Sequence, residues 1–107
     1  MRRVLGLLVA LLVTASCLGP KPQVRSAEVA DPKEGKANVT VVIVNTGGGD
    51  GQVQVKITLK QGDEVVGRAE QTTELKTRER ITLVIEVDVP EDAKDLEVES
   101  EVHYPPD

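Results

Sequence analysis

Side-chain character along most of this chain repeats every two residues. Across residues 52–60, Val53, Val55, Ile57 and Leu59 alternate with Gln54, Lys56, Thr58 and Lys60. Successive side chains of an extended strand point to opposite faces, so such a segment has one apolar face and one wet face. The same period marks residues 37–45, where Val39, Val41 and Ile43 oppose Asn38 and Thr40, while Val42 and Val44 make the second face partly apolar. It marks 80–89, with Ile81, Leu83, Ile85, Val87 and Val89 inward. It marks 96–104, with Leu96, Val98, Val102 and Tyr104 inward and Glu97, Glu99, Glu101 and His103 outward. Residues 24–30 read as a first strand. Residues 65–71 read as a weaker one, interrupted by Gly67 and so assigned to a sheet edge.

Turn chemistry separates these segments. Asp31-Pro32-Lys33-Glu34-Gly35 is a turn, 46–51 a glycine-rich loop, and Gly62-Asp63 a two-residue hairpin loop. Residues 72–77 read as a connector carrying Leu75, and 90–95 as an acidic corner. About six strands result, each apolar on one face and needing cover. Two packed antiparallel sheets supply it, so the expected fold is an all-β sandwich. Its core must be Val, Ile and Leu, because Tyr104 is the sole aromatic residue of the 107.

The N-terminus has another character. Arg2 and Arg3 precede an apolar run, 4–15, of 12 residues that ends in small side chains before Cys17, the single cysteine. A spanning helix needs about 20 apolar residues, and Pro20 and Pro22 follow at once. The pattern is that of a cleaved export signal. Ala15-Ser16-Cys17 resembles the lipobox of bacterial lipoproteins, although Thr14 stands where that pattern usually has Leu or Val. The resemblance implies that residues 1–16 are removed and that Cys17 becomes a lipidated, palmitate-bearing mature N-terminus. Val13-Thr14-Ala15 also suits ordinary signal peptidase, which would release a soluble protein. Residues 17–23 then form a lipidated cysteine and proline-containing tether, and 24–107 the domain. No cofactor is expected beyond the covalent lipid on Cys17.

Net charge sharpens the partner classes. The chain carries −5, and loss of Arg2 and Arg3 would leave 11 basic against 18 acidic residues, or −7. Such a domain is repelled as a whole by phosphate backbones and anionic headgroups, and one aromatic residue makes no stacking platform, so nucleic-acid binding is not expected.

Gly35-Lys36, residues 39–44, Asn45-Thr46-Gly47-Gly48-Gly49 and the alternating run 53–59 together resemble bacterial immunoglobulin-like modules of the CARDB kind over residues 24–104. Two departures stand out: Leu75 is followed by Lys76-Thr77-Arg78 rather than Pro-Gly, and six strands replace the usual seven. The resemblance implies a two-sheet antiparallel immunoglobulin-like sandwich used outside the cytoplasm for adhesion, spacing or assembly. It implies no catalytic residue.

Candidate sites are sparse. The glycine run 47–51 precedes a strand, whereas a phosphate cradle needs a helix behind it. Asp88, Glu91, Asp92 and Asp95 cluster at the corner, as a solvated acidic turn or a weak calcium site. Glu97, Glu99 and Glu101 line one face of the last strand, either paired with Lys56 and Lys60 of a neighbouring strand or free to dock a basic partner. His103 has no nucleophile set around it. If the last strand lies at an edge, it could accept a strand from another protein. These readings converge on a non-enzymatic, membrane-anchored module of the cell envelope, at the outer membrane or the periplasmic face, with an envelope protein as partner. The alternative is an accessory lipoprotein of an envelope or secretion complex.

Overall fold

The computed structural model describes residues 19–106. Cys17 and the expected export segment lie outside the described residues. Six strands form: β1 (Pro22–Val29), β2 (Lys36–Asn45), β3 (Gly51–Gln61), β4 (Glu64–Leu75), β5 (Arg80–Asp88) and β6 (Glu97–His103). They make two three-stranded antiparallel sheets in the orders β1-β2-β5 and β4-β3-β6. This is the expected all-β, two-sheet sandwich.

The alternation read from the sequence sets which face turns in. Val39, Val41 and Ile43 of β2 and Val53, Val55 and Leu59 of β3 are fully buried, and Ile57 nearly so. Leu75, Ile85, Val87 and Val89 complete the buried set with Ala37. Each such Val, Leu or Ile contributes about 1.5–3 kcal/mol of transfer free energy. The outer members Ile81, Leu83, Val98 and Val102 are half-buried and pack on that core.

Two boundaries and one side-chain orientation differ from expectation. β1 starts at Pro22 and so takes in Pro22 and Gln23, which the sequence assigned to the tether. Pro22 opens an edge strand, where its missing N–H is harmless. β4 runs through residues 72–75, which read as a connector. Its polar residues still pair, because β3 supplies the backbone bonds: Gln54 opposes Thr72 and Gly51 opposes Leu75. Tyr104, assigned inward, is 46% exposed at the end of the sandwich.

Gly67 does not interrupt β4. It opposes Leu59 beside a register shift, in an edge strand as expected. A side chain there would meet the Asp88 carbonyl oxygen at 2.8 Å and Val87 Cγ1 at 2.9 Å, so its absence lets the two sheets approach. The Gly62-Asp63 loop is the expected hairpin, with Gly62 at φ 64°.

Antiparallel order gathers the loops at two poles. Pro22 opposes Asn45, Val44 opposes Arg80, and Gln54 opposes His103. One pole therefore holds residues 19–21, the 46–50 loop, the 76–79 connector and Tyr104. The other holds the turns around Gly35, Gly62 and Glu91.

Candidate functional site

Asn45 organises the first pole. It continues the inward register of Val39, Val41 and Ile43 and is 1% exposed. A polar group in that register must be hydrogen-bonded. Its Oδ1 accepts from the Lys21 amide at 3.0 Å and the Gly47 amide at 2.8 Å. Its Nδ2 donates to the Gly49 carbonyl at 2.8 Å and the Lys76 carbonyl at 3.1 Å. One side chain thereby joins the start of β1, the β2–β3 loop and the β4–β5 connector.

The leading residues are seated by the same pole. The Thr46 amide donates to the Lys21 carbonyl at 3.0 Å, and Pro20 is buried. A Cβ on Gly47 would lie 2.5 Å from the Gly19 carbonyl oxygen and 2.7 Å from the Lys21 nitrogen. A Cβ on Gly51 would lie 2.8 Å from Tyr104 Cε1 and 2.9 Å from Pro20 Cγ. The glycines of this loop thus admit backbone and ring, and a strand follows them rather than a helix. Residues 19–23, expected as a spacer, are part of the folded body: Lys21 is bonded to Asn45 and Thr46, Pro22 and Gln23 pair with β2, and Gly19 and Pro20 pack against Gly47 and Gly51. Only Leu18 separates Cys17 from the first described residue.

Asp50 closes the connector at this pole. Its Oδ1 accepts from the Thr77 amide at 2.6 Å and the Thr77 hydroxyl at 2.8 Å. These bonds, the main-chain one foremost, hold the Asp50 carboxyl below its ordinary range. A depressed carboxylate contributes stability above its unfolded pKa and loses it as pH falls through the folded value. The Thr77 amide resonance is therefore expected to titrate with a midpoint below the ordinary aspartate value of about 3.9. Asp50→Asn should flatten that titration, and a midpoint at or above the ordinary value would contradict the assignment.

The acidic strip is found on the outer face of β6, beside β3. Lys56 stands opposite Glu101 and Lys60 opposite Glu97 in the antiparallel register. Lys60 Nζ reaches Glu99 at 3.1 Å, and His103 Nε2 lies 3.3 Å from Glu101. The Lys60–Glu99 pair crosses between strands, and exposed pairs of that kind contribute about 0.2–1 kcal/mol each. Lys56, Thr58, Glu99, Ser100 and Glu101 enclose an open depression of about 170 Å³. It is smaller and more polar than the apolar clefts that bury small ligands.

The corner carboxylates do not converge. Asp88 is engaged by Lys36 at 3.0 Å, with Glu86 at 3.3 Å from the same ammonium. Among the described residues, no group of three or more His, Cys, Asp or Glu side chains is arranged to hold a metal. Sequence reasoning missed Asn45 as the hub. A polar residue in the inward register of β2 was the signal that could have found it.

No protein-family model matches the chain, and no curated protein matches it. Among solved structures it is similar to the crystal structure of a glycosyl hydrolase family 2 member from Bacteroides cellulosilyticus DSM 14838. The likeness has a TM-score of 0.56 at 19% identity and covers 82% of this chain. The chain matches 14% of that larger protein. At this identity the likeness shows the β-sandwich fold.

Proposed function

We propose that the protein is a lipid-anchored, extracytoplasmic module that binds or spaces other components of the cell envelope, without catalysis. The observation that carries this reading is the order of the first 20 residues. A basic and then apolar export segment ends in the single cysteine, and Gly19, two residues later, is already seated against the domain. Cys17 carries the lipid, and two or more acyl chains hold a protein stably where one does not. The sandwich is of the immunoglobulin-like, CARDB-like kind. Its polar, shallow surfaces suit a protein partner better than a small molecule.

Cys17→Ala is expected to abolish palmitate labelling and move the protein from the membrane to the soluble fraction. Retention on membranes would overturn the anchor. Equal solubility of wild type and variant would favour the signal-peptidase cut.

A second reading, an accessory lipoprotein that docks by strand addition, draws on β6. That strand ends its sheet, pairs with β3 on one side without a register shift, and contains no proline. The outward glutamates oppose such pairing. Crosslinking in intact cells followed by amide exchange separates the two readings. Strand addition requires β6 amides to gain protection in the complex.

A further inference from the structure

The pole that follows the anchor is basic in an otherwise acidic domain. Lys21, Lys76, Arg78 and Arg80 are exposed there, and none of their side chains makes an ion pair among the described residues. The nearby carboxylates keep their charge and offset part of this, Lys76 acting on Asp50, so four cations stand against Asp50, Glu74 and Glu79. Asp50 caps Thr77, and Glu79 accepts from the Lys76 amide at 3.0 Å. Glu74 is the further acidic side chain beside them. The opposite pole carries Asp31, Glu34, Asp63, Glu91, Asp92 and Asp95 in its turns, with Lys33 and Lys94. Charge is thus segregated along the strands, cations toward the anchor and carboxylates away from it.

We infer that this basic pole lies on the anionic phospholipid surface beside the anchor, and that it fixes the domain end-on to the membrane. The inference rests on Cys17 being the lipidated residue. The seating of Gly19 and Lys21 on Gly47 and Asn45 leaves Leu18 as the only residue between lipid and body, so this pole cannot be far from the headgroups. Lysine and arginine within a Debye length of anionic lipid are attracted to it, and the carboxylates at the far pole are repelled from it. Both effects favour the same orientation. Tyr104, half-exposed at this pole with its ring against Gly51, brings an amphipathic aromatic to the interface.

Tyr104 also supplies the readout, because no other residue of the chain is aromatic. The full chain, expressed and recovered from membranes, is reconstituted into vesicles of phosphatidylcholine alone or with phosphatidylglycerol, each with dansyl-labelled headgroups. Flotation reports the anchor. Energy transfer from Tyr104 to dansyl reports the pole. Transfer is expected to be about threefold greater on anionic vesicles and to fall toward the neutral value in 1 M salt, where the Debye length is about 3 Å. Lys21→Glu/Arg78→Glu should abolish the difference while melting as wild type does. Lys33→Glu/Lys94→Glu, with the same net charge but at the far pole, should keep it. Failure of wild type to float would overturn the anchor. Transfer that is absent, equal on both vesicles, or equally reduced by both double variants would overturn the orientation, with or without flotation.

Discussion

Asn45→Leu is expected to lower folding stability by about 3–5 kcal/mol, a large share of what a domain of this size has. The leucine matches the volume but offers no polar atom. It would strand the Lys21 and Gly47 amides and the Gly49 carbonyl, and leave the Lys76 carbonyl with the Glu79 amide alone. An unsatisfied buried group costs about 1–3 kcal/mol. Three of these bonds are only part-buried, which keeps the total below three full penalties. Asn45→Asp separates the two halves of the hub. It keeps the acceptor for Lys21 and Gly47 but sets a carboxylate against two carbonyls, so its deficit should shrink as acid protonates the new group. Urea denaturation at neutral and acidic pH measures both effects. A loss under about 1 kcal/mol for the leucine variant would remove Asn45 from the centre of the pole.

Leu59→Ala should cost about 3–5 kcal/mol, toward the upper part of the range for buried leucines. The reason is its neighbours. Leu59 is fully buried in the middle strand of its sheet, with Gly67 and Val98 opposite it. Gly67 has no side chain to move into the space, and its backbone is held close to the Asp88 carbonyl. The cavity therefore stays open. Val98→Ala, on a half-buried side chain at the edge, should cost about 1 kcal/mol, because solvent and neighbours can fill the gap. Equal losses for the two variants would mean that the core does not discriminate centre from edge.

How much of this the sequence revealed depends on whether side chains or backbone carried the information. β2 and β3 lie in the middle of their sheets with one face fully buried, so their alternation was strong and their faces were assigned residue by residue. The end of β4 was missed because Thr72, Thr73 and Glu74 show no apolar period. An edge strand needs only the backbone bonds of its neighbour. Gly67 was legible as an edge residue but not as the point where the two sheets meet, since that contact comes from Asp88, 21 positions away in the sequence. The charge pairing of Glu99 with Lys60 could be anticipated, because neighbouring strands with opposite outer charges find each other in register. Asn45 and Tyr104 were harder. One satisfied its polarity through loops whose paths no local pattern specifies. The other found its seat on two glycines and a proline that converge only in the folded body. Cys17 lies outside the described residues, so its reading rests on the sequence and the proposed anchor.

The pairing of β2 with β5 has a consequence for how the exported chain proposed here comes to fold. Lys36 lies opposite Asp88, and Ile43 opposite Ile81, so the β1-β2-β5 sheet is closed by contacts between residues 38 to 52 positions apart. A β topology of this kind is slow to form, because loop closure must be met before distant pairs can stabilise it. A chain threaded through a narrow channel from its N-terminus cannot complete that sheet until residue 88 has emerged. On the proposed export route, the polypeptide would stay extended and transport-competent while Cys17 was already on the far side. Acylation would therefore precede folding, and the sandwich would assemble beside the membrane that holds it.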